Sequence, residues 1–145
     1  MRSATRSSRG RARPGVAMVE LASILPVLSL LAFATIEASR MCMVAQIMAN
    51  AARDGCRVAV VASSANSDVT TRVNAALESA GFSPSAIAAV TTTISPSDVT
   101  TATSGSSITV TLSVPFGGVN WLPAPFFYSA TTQVTGGAVM LSQRP

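Results

Sequence analysis

The chain has no histidine, no lysine and only two cysteines among its 145 residues. These gaps exclude His-dependent acid–base catalysis, Ser–His and Cys–His nucleophile pairs, Schiff-base lysines and His-containing zinc sites. Two cysteines cannot build a disulfide framework. Charged residues make up 11% of the chain against 48% hydrophobic, which excludes a disordered polyelectrolyte. No enzyme is expected, and no catalytic residue, metal or cofactor. At this length a single modest domain is the starting expectation.

Positive charge is also missing from most of the chain. Five of the ten arginines, Arg2, Arg6, Arg9, Arg11 and Arg13, lie in the first 13 residues. Residues 16–145 hold five arginines against six acids, a net charge of −1. The basic character therefore belongs to a short N-terminal tail. That tail has no aromatic residue and ends at an apolar wall, which argues against a nucleic-acid partner. No small-molecule substrate is indicated either.

The wall, Val16 to Ile36, is 21 residues with one charge, Glu20. As a helix it spans roughly 30 Å, the hydrocarbon thickness of a bilayer. A buried core helix apolar on every side needs a larger protein than this one. The leading arginines place residues 1–14 in the cytoplasm and the remainder outside. A secretory signal is the rival reading: Ala32 and Ala34 form a small-residue pair, and cleavage near Ala34 would release a soluble secreted binding domain. Against it, Glu20 and Pro26 interrupt the apolar region, and the helical pattern continues beyond Ala34. Pro26 reads as a kink that a membrane helix tolerates.

A carboxylate inside a membrane span is costly and calls for a partner. Glu20 follows Val16 by four residues. Cleavage after Gly15 would create an α-amine on Val16, one helical turn from that carboxylate.

An Arg-rich leader, then Gly15-Val16-Ala17-Met18-Val19-Glu20, then an apolar run, resembles a class III prepilin signal. More narrowly, residues 10–61 resemble the TadE-like family of pilus-assembly proteins. The resemblance rests on the G-x-x-x-x-E step, the Leu25-Pro26 pair, Glu37 closing the apolar run, and the N-A-A-R-D-G-x-R segment from Asn50 to Arg57. It implies cleavage between Gly15 and Val16 by a prepilin peptidase, with Glu20 as the subunit-pairing residue. It further implies a minor pilin or pseudopilin of the Tad (tight adherence) type IV pilus in the bacterial inner membrane. The implied partners are other pilins or pseudopilins and the pilus platform proteins. The C-terminal segment Ala138 to Gln143 lacks the charges of the family's ending.

Beyond the wall the helix is expected to continue to about Ala62. Ala38, Cys42, Ala45, Ala49, Ala52, Cys56 and Ala59 recur at alternating spacings of four and three, a stripe of small residues. Small residues let another backbone approach. Ala38, Cys42 and Ala45 are read as a helix-docking surface, and Ala49 to Ala59 as packing on the protein's own sheet. Cys42 and Cys56 lie about 21 Å apart on one helix, too far for a disulfide. Both are expected as buried structural thiols, with an intersubunit bridge as the alternative.

Residues 63–67 read as a linker, and Ser67 or Asp68 as the cap of a second helix over about 68–80. Strands are expected at 86–95, 106–114 and 128–135, with Gly136-Gly137 as a bulge or turn and 138–142 extending the sheet. In the second strand Ile108, Val110, Leu112 and Val114 share one face. Five of the seven aromatics crowd residues 116–128, which read as a loop folded over the sheet edge.

The expected fold is α+β and pilin-like: a long N-terminal transmembrane helix continues into a periplasmic helix packed on a small antiparallel sheet. The parts are a basic leader at 1–15, cleaved; a membrane span at 16–37; an exported helix extension at 38–62; and an exported α+β domain at 63–145.

Overall fold

The computed structural model describes residues 14–118, 129 and 131–143. The first element, α1, runs unbroken from Pro14 to Ala59 and contains Pro26. The chain divides into two units, Met1–Thr35 and Ile36–Pro145. They are taken here one at a time.

In the first unit α1 has no cover. Every side chain from Val16 to Phe33 is exposed, including Val16, Met18, Leu21, Leu28 and Leu31. The most apolar 18-residue window of α1 has a mean hydropathy of 2.2 and is 0% buried. A helix this apolar, without protein around it, has the length and composition to cross a bilayer. Hydroxyl groups are satisfied within the helix: Ser23 Oγ donates to the Glu20 carbonyl at 2.7 Å, and Thr35 Oγ1 donates to the Leu31 carbonyl. These i−3 and i−4 bonds let hydroxyl residues sit in an apolar helix without exposing an unmet donor.

The second unit contains the rest of α1, then α2 (Asn66–Ser79), α3 (Pro84–Ala88), β1 (Thr91–Ser95), β2 (Ser107–Pro115) and β3 (Gln133–Leu141). The strands form an antiparallel sheet in the order β1-β2-β3. Alternation in β2 sends Ile108, Val110, Leu112 and Val114 inward, and all four are fully buried. They meet a stripe of α1 formed by Val44, Met48, Ala51, Ala52, Cys56 and Ala59. On α2, Val69, Val73 and Leu77, spaced by four, complete the core. Burial of each large apolar side chain stabilises the unit by about 1.5–3 kcal/mol.

The fold is α+β, as the pattern of the sequence indicates, but four local expectations are corrected. Residues 86–90 are not strand. Ser83 caps a short helix there by accepting from the Ala86 N–H at 3.2 Å, Pro84 occupies its first turn, and β1 begins only at Thr91. The third strand is Gln133–Leu141, which takes in 133–135 and most of the expected extension, whereas Ser129, Thr131 and Thr132 are not strand and residues 128 and 130 lie outside the described residues. Gly136 and Gly137 pair without interruption to Leu112 and Thr111, so they form no bulge or turn. The cap of α2 is Ala65, and Asp68 serves it from within the first turn by accepting the Ala65 N–H at 2.9 Å.

Gly136 has a packing role. A Cβ there would stand 2.5 Å from the Ala49 nitrogen and 2.7 Å from the Met48 carbonyl carbon. Its absence lets the α1 backbone lie directly on β3. Gly55 does the same for α2, since a Cβ would stand 2.7 Å from Val73 Cγ2.

Candidate functional site

The features that point to function lie on α1. Gly15, Val16 and Glu20 occupy its first turns and all are exposed. Space around Gly15 is open, with no atom within 4 Å of where a Cβ would be. Helical geometry puts Val16 and Glu20 one turn apart on one face. Among the described residues, both salt bridges involve Asp54 and neither involves Glu20. The leader residues 2–13 lie outside the described residues.

Next come the three proposed docking residues. Cys42 is exposed, while Ala38 and Ala45 are partly exposed. Cys42 and Ala45 line a shallow groove of about 290 Å³ with Met41, Gln133, Val134 and Thr135. The groove runs between α1 and the start of β3. Exposure of Cys42 corrects the expectation of two buried thiols, because α1 turns that position away from the sheet.

Cys56 is the buried thiol. Its Sγ donates to the Ala138 carbonyl of β3 at 3.3 Å, with the Ile108 carbonyl at 3.9 Å. Burial pushes its pKa up from 9.0, and a backbone hydrogen bond at Val110 acts in the opposite direction. Cys56 is thus a neutral, structural group.

The segment Asn50 to Arg57 divides by face. Ala51, Ala52, Gly55 and Cys56 are buried, whereas Asn50, Arg53 and Arg57 are exposed. Between them, Asp54 accepts from Arg72 of α2 at 3.1 Å and lies 3.9 Å from Arg57. Arg53 donates to Asn50 Oδ1 at 2.6 Å. The small members of the segment seat α1 in its core, and Asp54 ties α1 to α2.

Glu37 was legible in the sequence only as the end of the apolar run. In the structure it is 7% exposed and its buried Oε2 has no hydrogen-bond partner. The available signal was its position four residues before Met41 and seven before Val44, on the stripe that packs inward. Among the described residues no cluster of His, Cys, Asp or Glu has the makings of a metal site. Of the aromatic stretch, Phe116 is buried, and Trp121, Phe126, Phe127 and Tyr128 lie outside the described residues.

Residues 15–57 match the family model described as TadE-like protein. The match begins at Gly15, two residues before the end of the first turn of α1, and ends at Arg57, two residues before the helix stops. No curated protein and no solved structure matches the chain.

Proposed function

With residues 15–57 TadE-like, we propose that the chain is a structural, non-enzymatic subunit of Tad pilus assembly, a minor pilin or pseudopilin. The carrying observation is that the family match falls on a single helix with two characters: an apolar run exposed at every residue but Ala34, then a stripe buried under its own sheet. A subunit held in a membrane by one end of a helix and folded around the other has the organisation of a pilin.

In this reading a prepilin peptidase cuts between Gly15 and Val16. The open surroundings of Gly15 suit the close backbone approach that a protease needs. The new Val16 amine is charged at neutral pH and requires a counter-ion in an apolar setting. Glu20, of the same or an adjacent subunit, supplies it. Ala38, Cys42 and Ala45 offer a docking strip to other pilins or platform proteins. The N-terminus faces the cytoplasm and residues 38–145 lie outside it, as the leader arginines direct.

Intact-mass measurement of the protein extracted from membranes tests this reading. An N-terminus at Val16 supports it. An N-terminus at Thr35 would replace it with a secreted domain released by signal peptidase.

A further inference from the structure

The sheet ends in β3, whose outer edge is open. At the two ends of the β2–β3 ladder, Phe116 N–H donates to the Thr132 carbonyl at 2.8 Å and Ser142 N–H donates to the Ser106 carbonyl at 2.7 Å. Bonded and unbonded pairs alternate along an antiparallel ladder. The register between these ends is unbroken, so Val134, Gly136, Ala138 and Met140 bond to β2. Gln133, Thr135, Gly137, Val139 and Leu141 therefore turn their N–H and C=O groups to the outer edge. Among the described residues none of those groups meets a partner. Gly137 has no side chain, and it is exposed, so the main chain in the middle of this edge is open to a partner.

Edge strands are ordinarily guarded by charge, proline, a bulge or shortness. The other edge, β1, has five residues and is followed by Pro96. β3 has nine residues, no charge, no proline and no bulge. Val139 and Leu141, 62% and 65% exposed, add apolar side chains beside the open groups. Donors and acceptors repeating about every 7 Å along a line are met in full only by another extended strand. We propose that the outer edge of β3 takes up, in antiparallel pairing, an uncharged extended segment of another exported protein, with apolar or β-branched side chains beside Val139 and Leu141.

Direction separates such a segment from a second copy of this chain. Gly136 lies against Met48 and Ala49, and the Ala138 carbonyl accepts from Cys56, so β3 runs in the sense of α1, away from Ile36. β1 runs the same way, and only β2, enclosed between them, runs back. Copies anchored in one membrane by their apolar runs thus point both free edges away from it. Between them only parallel pairing is open, which is the less stable kind, and the twist of a joined sheet would tilt one helix against the other. A strand running toward the membrane comes from a different chain. This exclusion of a second copy rests on the reading of residues 16–36 as an anchor; the open edge does not.

The test uses the full-length protein in detergent, with an acceptor dye on the exposed Cys42. The probe is a nine-residue peptide of the β2 sequence, Ser107–Pro115, which pairs antiparallel with β3 in the fold itself. It carries a donor dye at one end or the other. Cys42 lines a groove with Gln133 and Thr135, at the start of β3. Antiparallel seating brings the C-terminus of the peptide to that end, about 30 Å from its N-terminus, so the C-terminal donor should give the stronger energy transfer. Val139→Pro removes an N–H that points away from β2 and spares the ladder, and peptide binding should fall at least tenfold. Val139→Lys charges the edge without altering its main chain and should lower binding by a similar factor, which keeps the test decisive if the proline variant does not fold. The proposal is overturned if the peptide does not bind saturably, if Val139→Lys leaves binding unchanged, or if the N-terminal donor gives the stronger transfer. It is also overturned if differently tagged full-length chains capture each other and Val139→Lys abolishes that capture, since the occupant is then a second copy. Binding in detergent does not involve the membrane, so its failure leaves the anchor reading standing, and intact mass tests that reading by itself.

Discussion

Gly136 of β3 and Ala49 of α1 touch through their backbones: a methyl group on Gly136 would lie 2.5 Å from the Ala49 nitrogen. The obstacle is main chain, so no rotamer change relieves it. The neighbouring Gly137 is different, with nothing closer than 3.5 Å to its Cβ position.

The two glycines should therefore respond unequally to alanine. Gly136→Ala is expected to cost about 1–3 kcal/mol as α1 lifts from the sheet. Gly137→Ala should cost well under about 1 kcal/mol. Gly55→Ala should fall between them, because its obstacle, at 2.7 Å, is a side-chain methyl of Val73 and not main chain. Thermal unfolding of the three full-length variants checks the order, and a Gly137→Ala variant less stable than Gly136→Ala would contradict the packing.

Cys56 makes stability depend on alkali. Its pKa is raised in the folded protein, while the unfolded thiol ionises near its ordinary value of 9.0. Its contribution is therefore fully present below about pH 9 and is lost as pH rises through the higher folded value. Cys56→Ala should remove that part of the pH dependence. Unfolding free energies of both proteins between pH 8 and pH 11 should diverge in slope only above about 9.

The two thiols should differ in reactivity. A membrane-impermeant maleimide added outside intact cells should label Cys42, which is exposed, and spare Cys56 until the fold is denatured. Labelling of Cys42 only after the cytoplasm is opened would reverse the proposed orientation.

Asp54 links α1 and α2 through Arg72, with side-chain exposures of 33% for Asp54 and 54% for Arg72. Arg72→Gln should accordingly cost no more than about 1 kcal/mol. Met48→Ala, within the same helix but fully buried, should cost about 2–5 kcal/mol. Chemical denaturation of both variants separates a surface tie from a core contact.

Glu20→Gln should leave cleavage after Gly15 intact and block assembly. Removing one member of a buried ion pair costs about 3–5 kcal/mol by stranding the other charge. Intact mass reports cleavage, and co-purification with the pilus machinery reports assembly. Normal assembly of Glu20→Gln would remove the carboxylate from the mechanism.

How far each feature was legible depended on how local its cause is. The alternation of Ile108, Val110, Leu112 and Val114 is a property of consecutive residues, and β2 lies where it indicates. The apolar run from Val16 to Ile36 needs no tertiary context either. Gly136-Gly137 is ambiguous in the sequence because glycine in a strand signals a bulge or a close approach, and only the position of α1 decides between them. Residues 86–90 read as strand from sequence because an apolar run of that length has no clear period. Ser83 and Pro84 supplied the helix-start signal. The burial of Cys56 and the exposure of Cys42 differ although both lie on one stripe, because a seven-residue repeat drifts around a straight helix and turns Cys42 away from the sheet. The isolation of Glu37 depends on contacts that no spacing rule encodes.

The antiparallel sheet that covers α1 is made after it. Ala49 leaves the ribosome 87 residues before Gly136, which at ordinary synthesis rates is a delay of about 4–17 s. β1 and β2 emerge within that interval, but the α1 backbone at Met48 and Ala49 has no β3 to rest on until its end. Closing so long a segment is also entropically unfavourable until the final contacts form. That part of α1 therefore waits for the final strand, and a chain cut short before Gln133 would leave the backbone at Met48 and Ala49 without the glycine strand that lies directly on it.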